Sequence, residues 1–135
     1  MSKTIFLDTL FVVALVNEHD QYHERADELS DEFAQGRFLI TDAVLLEIGN
    51  SLARNFKERA IEMIHDLLTA DEVQVVRLTP ALFDEGFALY RSHRDKDWGL
   101  VDCISFVVMR KAGIEEELTF DQHFVQAGFR ALMRD

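Results

Sequence analysis

Apolar residues recur along this chain with two spacings. Four short runs are rich in β-branched, aliphatic or aromatic residues: Thr4-Ile5-Phe6-Leu7, Arg37-Phe38-Leu39-Ile40, Val73-Gln74-Val75-Val76-Arg77-Leu78 and Glu117-Leu118-Thr119-Phe120. Runs of that length and make-up predict strands. Between them the spacing turns helical. Leu10 to Val16 predicts a short helix, and Asp20 is expected to cap a longer one reaching about Ala34, with Gly36 as its breaker. Leu45, Ile48, Leu52 and Phe56 mark one side of a helix from Ala43 to Phe56, after Thr41-Asp42 as its cap. That stripe puts Glu47 on the opposite face, together with Asn50, Ser51 and Arg54. Ala60, Ile61, Ile64, Leu67 and Leu68 mark another helix. Thr79-Pro80 is a cap followed by proline at the first helical position, opening a helix with the stripe Leu82, Phe83, Gly86, Phe87 and Tyr90. The last long helix follows Trp98-Gly99 and ends at Gly113, and a final strand is expected near Phe129–Met133. The order β-α-α-β-α-α-β-α-α-β predicts an α/β fold with a parallel sheet covered on both faces.

Within the last long helix, eight of the ten residues from Leu100 to Met109 are apolar and Asp102 is the only charge. Burying a carboxylate there costs several kcal/mol unless a basic partner, a shifted pKa or a metal ion compensates it. The pattern leaves all three open.

Composition narrows the setting. The chain has 135 residues, 48% hydrophobic and 29% charged, enough for one domain spanning residues 1–135 with its own core. No apolar run is long enough to span a bilayer, and residues 1–15 lack the layout of a signal peptide. The single cysteine, Cys103, excludes an internal disulfide and reads as buried core. A soluble, cytoplasmic protein is expected. Fourteen Lys and Arg stand against 25 Asp and Glu, a formal charge of −11. Such a surface repels nucleic acid at long range and excludes nonspecific coating of DNA. It suits divalent cations or a basic protein partner.

Ligands of open parallel sheets sit at the carboxyl ends of the strands. Asp8 and Asp121 each follow a strand directly, Asp102 lies near the start of its helix, and Glu47 lies one turn into the helix after the second strand. Each alone reads first as a turn or helix cap, Asp102 least so because of its apolar surroundings. Gathered together they would raise one another's pKa unless cations held them ionised, and hard oxygen ligands favour Mg²⁺ or Mn²⁺. Sites of that kind commonly act on phosphate esters.

Ile5-Phe6-Leu7-Asp8-Thr9, Glu47 after Thr41-Asp42, Leu100-Val101-Asp102 and Leu118-Thr119-Phe120-Asp121-Gln122-His123-Phe124 together resemble the PIN-domain family, in order and spacing across nearly the whole chain. The likeness is greatest to the small VapC-type toxins of bacterial toxin–antitoxin pairs. The resemblance implies a three-layer α/β/α sandwich with a central parallel sheet, and Mg²⁺- or Mn²⁺-dependent cleavage of RNA. It assigns the acidic site to Asp8, Glu47, Asp102 and Asp121, with Thr119 as an accompanying hydroxyl. It also implies RNA as substrate, a basic antitoxin as partner and a homodimer. One position departs: Gly99 stands where many relatives carry Ser or Thr.

Other candidates have plainer readings. His19 and His23 have zinc spacing but no evident third ligand. His123 could approach the substrate or be a core histidine between Phe120 and Phe124. Arg91, Arg94 and Lys96 form the densest basic stretch, read equally as a grip on a phosphate backbone or as a solvated loop, with Arg54, Lys57 and Arg59 as a second such patch. Asp97 reads as a cap or a fifth acid. The rival functions are a noncatalytic PIN-like interaction module and an orphan nuclease of RNA processing. A phosphoacceptor receiver domain is disfavoured, because Asp8 leads into Thr-Leu-Phe and no suitable Lys follows Asp121.

Overall fold

The computed structural model describes residues 3–134. Five parallel strands, β1 (Thr4–Leu7), β2 (Arg37–Thr41), β3 (Val73–Val76), β4 (Glu116–Leu118) and β5 (Arg130–Ala131), form one sheet in the order β3-β2-β1-β4-β5. The helices are α1 (Thr9–Val16), α2 (His23–Glu32), α3 (Asp42–Leu52), α4 (Lys57–Thr69), α5 (Pro80–Ser92), α6 (Leu100–Ala112) and α7 (Gln122–Gln126), closed by a 3₁₀ turn at Leu132–Arg134. The expected α/β/α sandwich is present. So is the short last strand.

Alternation along the strands sorts the two faces. Leu7, Phe38, Val73 and Leu118 line one cavity with residues of α1, α2 and α4. Phe6 points the other way, toward Phe124 of α7 at 6.5 Å between ring centroids, and Phe124 meets Phe106 of α6 edge-on at 5.0 Å. Trp98 adds a second edge contact to Phe106 at 5.1 Å. Fully burying a ring of this size is worth about 1.5–3 kcal/mol. The cluster fixes α6 and α7 against β1, and Phe106 lies one turn beyond Asp102. Gly86 lets α5 close on α6, since a Cβ there would come within 2.5 Å of Ile104 Cγ1.

Several element ends fall short of the sequence expectation because side chains capture backbone groups. Asp20 is not a helix cap. It accepts the Tyr22 amide at 2.8 Å and holds a turn, and α2 starts only at His23. The third strand stops at Val76, because Asp42 takes the Leu78 amide at 3.1 Å and pairs with Arg77 at 3.2 Å. The helix expected to reach Phe56 ends at Leu52, so Arg54 lies in the following turn. The strand expected through Phe120 ends at Leu118, where Thr119 turns its hydroxyl to β1 and Phe120 stacks on Tyr22 at 3.7 Å. Thr41 and Thr79 cap α3 and α5 as expected.

Candidate active site

The sheet runs from β1 through β2 to β3 in one direction, then returns to add β4 and β5 on the other side of β1. The direction therefore reverses between β1 and β4, where a crevice opens at the carboxyl edge. Asp8 follows β1 there, and Thr119 follows β4. Although Asp8 stands at the start of α1, it makes no capping bond. Its Oδ2 accepts the Thr119 hydroxyl at 2.8 Å across 111 residues of sequence. Thr119 Oγ1 in turn accepts the Asp121 amide at 3.1 Å.

Three further acids open onto the same pocket of about 400 Å³, with Asn50 and Ser51 of α3. Glu47 projects from α3 and accepts the Thr9 hydroxyl on Oε1 at 2.6 Å. Asp102, in the first turn of α6, reaches back so that Oδ2 accepts the Gly99 amide at 3.1 Å. Asp121 caps α7 by accepting the His123 amide on Oδ1 at 2.9 Å and also lines the pocket. His123 is the residue the sequence left undecided. Its Nδ1 lies within hydrogen-bonding distance of Asp102 Oδ2, at 3.0 Å, and 3.4 Å from Asp121 Oδ1.

The electrostatics are those of crowded, dehydrated carboxylates. Asp8, only 5% exposed, is pushed up to about 7 by burial and by the neighbouring charges of Asp102 and Glu47, against the opposing bond from Thr119. Burial also raises Glu47, opposed by the Thr9 bond, and raises Asp102, opposed by the Gly99 amide and His123. Acids that resist ionisation together are stabilised by a cation between them. Ligand atoms of Asp102, Asp121 and His123 lie within 4.8 Å of one another. This donor set, hard oxygens with one imidazole nitrogen, fits a divalent cation.

The remaining candidates lie elsewhere. His23 donates Nδ1–H to the Ala14 carbonyl at 2.8 Å, a structural bond. Cys103 is buried, and its thiol is pushed up to about 11 by that burial. Arg91, Arg94 and Lys96 line a separate cleft together with Asp97 and Gly99. Arg54 is exposed and does not line the acidic pocket. No helix among the described residues is long and apolar enough to cross a membrane.

Four acids from four separate segments at the β1–β4 crevice, on a sheet of this order, define a recognisable class. Residues 5–130 match the PIN domain, and the chain belongs to the PIN-domain family. It is similar to the 23S rRNA-specific endonuclease VapC20 of Mycobacterium tuberculosis, 32% identical over 125 residues covering 93% of this chain and 95% of that one. The crystal structure of VapC20, described as a toxin cleaving the sarcin–ricin loop, matches with a TM-score of 0.82 over 93% of this chain and 95% of that one. A VapC ribonuclease of Aquifex aeolicus is 24% identical over 131 residues, 93% of each chain. VapBC2 from Rickettsia felis, at 14% identity and a TM-score of 0.67 over 95% of this chain and 96% of that one, shares the fold.

Proposed function

We propose that this chain is a divalent-metal-dependent endoribonuclease, the toxin of a toxin–antitoxin pair. One observation carries the reading: Asp8, Glu47, Asp102 and Asp121 converge on one pocket at the point where the sheet reverses direction. Asp8, Asp102 and Asp121 would hold Mg²⁺ or Mn²⁺, with Glu47 beside them. Such an ion supplies a polarised phosphoryl oxygen, a more acidic water and a counter-charge between substrate and carboxylates. The protein supplies placement. Thr119 fixes the Asp8 carboxylate, and Thr9 fixes one oxygen of Glu47, whose Oε2 has no protein hydrogen-bond partner among the described residues and is left to orient water. His123 and the Gly99 amide hold Asp102 Oδ2 from two sides. The net reaction is hydrolysis: water oxygen bonds to phosphorus and the leaving ribose oxygen takes a proton.

The substrate is RNA, by likeness to the two ribonucleases named above. A basic antitoxin segment suits the −11 chain, the setting is the cytoplasm, and Phe83 and Phe87, exposed on α5, offer an apolar surface for a homodimer. Purified protein given Mn²⁺ should cleave RNA, while Asp8→Asn and Asp102→Asn should each lower the rate about a thousandfold, the loss of about 4 kcal/mol of transition-state stabilisation. Unchanged cleavage in both variants would overturn the assignment. A noncatalytic module of the same fold would show no Mn²⁺-dependent rise in thermal midpoint.

A further inference from the structure

A chain of charge −11 must still hold a polyanion, and the acidic pocket repels one. Four of its cations pair with carboxylates, Arg25 with Glu28, Arg77 with Asp42, Lys111 with Glu85 and Arg130 with Glu116. The last turn of α5 and the segment that follows it gather three cations on one opening. Neither Arg91 nor Arg94 has a carboxylate partner among the described residues, and Lys96 has only exposed Asp95 at 3.8 Å. All three cations line a cleft of about 540 Å³, against the single carboxylate of Asp97. That volume falls in the range of about 300–1,000 Å³ typical of ligand sites.

The cleft is built on fixed parts. Arg94 Nε donates to the Arg91 carbonyl at 3.3 Å, and the Arg91 guanidinium lies 5.4 Å from the centre of the Phe87 ring. Both side chains are thus held locally while remaining exposed, the arrangement in which guanidinium forks take phosphate oxygens. His93 packs on Trp98 at 4.8 Å, and Trp98 is tied by Nε1–H to Gln126 Oε1 at 3.0 Å. A half-buried ring on a rigid floor is a stacking platform for an unpaired base.

Gly99 joins the cleft to the acidic pocket, because it lines the first and its amide binds Asp102 of the second. Its φ of −75° and ψ of 165° suit any residue, and a Cβ would meet only Asp102 Oδ2, at 3.7 Å. Neither backbone nor crowding requires glycine here. The missing side chain leaves the junction between the two openings clear.

We infer that the cleft between Arg91 and Gly99 is a cationic subsite that takes the single-stranded RNA flanking the scissile phosphate, its phosphates on Arg91, Arg94 and Lys96 and one base against His93. The inference rests on the ribonuclease reading and extends it to substrate binding. The test is fluorescence anisotropy of a labelled single-stranded RNA decamer with the whole chain in EDTA, across a salt series, so that binding is read apart from cleavage. Removing three phosphate contacts in R91A/R94A/K96A should make the slope of log affinity against log salt shallower by about two. R91K/R94K, which keeps the charges, should retain the wild-type slope and control for altered folding, checked by the thermal midpoint. With Mn²⁺ present, the triple variant should raise KM with kcat little changed.

An unchanged slope, or no RNA binding by the wild type, overturns the subsite. So does tighter binding of a labelled oligo-glutamate through the same three residues, which would make the cleft a protein-docking site. Failure of Mn²⁺-dependent cleavage while the slope difference persists would overturn the nuclease reading and leave the cleft as an RNA site.

Discussion

Two buried carboxyl groups sit close together in this sheet and have opposite fates. Asp8 directly follows β1 and Glu117 lies in β4, in register with Phe6 of β1 and Ala131 of β5. Both are dehydrated and both resist ionisation: Asp8 is pushed up to about 7, and Glu117 to about 9, by burial first and by nearby acids second. Asp8 has a hydroxyl partner and opens onto a pocket shared with three other acids. Glu117 is 0% exposed and neither of its oxygens has a partner among the described residues. Desolvation alone therefore does not mark an active site. What distinguishes Asp8 is convergence with three other acids and a way out to solvent.

The largest difference should appear in catalysis. Asp8→Asn should cut RNA cleavage about a thousandfold, while Glu117→Leu should stay within a few-fold of wild type in the same Mn²⁺ assay. Equal losses would erase the distinction. Stability gives a second readout on Glu117. A carboxyl whose folded pKa is raised leaves the folded chain holding more protons, so stability falls as pH rises from about 4.5 towards 9. At pH 7 that penalty is about 3 kcal/mol, at about 1.4 kcal/mol per pH unit. Glu117→Leu should recover most of it and flatten the pH dependence of urea unfolding across that window. Stability that is unaltered at pH 7 would mean Glu117 is solvated in the folded protein.

Smaller effects sharpen the Asp8 side. His123→Ala removes a group holding Asp102 and should weaken Mn²⁺ affinity about tenfold, as loss of a supporting partner does at metal sites. A titration that matches wild type would confine His123 to packing. Gly99→Ser supplies a capping hydroxyl to α6 and should add only a few tenths of a kcal/mol, read as a small rise in thermal midpoint. A fall would show that a side chain at this position is not tolerated.

The same contrast explains what the sequence made legible. Strand, helix and helix order followed from apolar spacing, because each element buries one face against the sheet. Asp8 and Asp121 were visible as acids placed directly after strands, Asp102 as the lone charge in an apolar helix, and Glu47 with Asn50 and Ser51 as the face opposite a core stripe. His123 was undecidable, since its partner Asp102 lies 21 residues away and meets it only through the packing of α6 on α7. Thr9 bonds Glu47 across 38 residues for a similar reason. Glu117 opens a predicted strand, but its burial was not legible because Glu116-Glu117 looks like solvent-facing polarity. In the folded chain Glu116 pairs with Arg130 at the surface while Glu117, one residue on, points inward. Element ends were misplaced where a side chain such as Asp42 or Asp20 took a backbone amide that the periodicity had assigned to a helix or strand.

The most direct test of the account is calorimetric titration of Mn²⁺ into the wild-type chain, Asp8→Asn and Glu117→Gln between pH 6 and 8. If the β1–β4 crevice is the metal centre, wild type and Glu117→Gln bind alike, with affinity rising with pH through about 7 as Asp8 gives up its proton, and Asp8→Asn loses that binding. Binding that survives in Asp8→Asn with the wild-type pH dependence would contradict it.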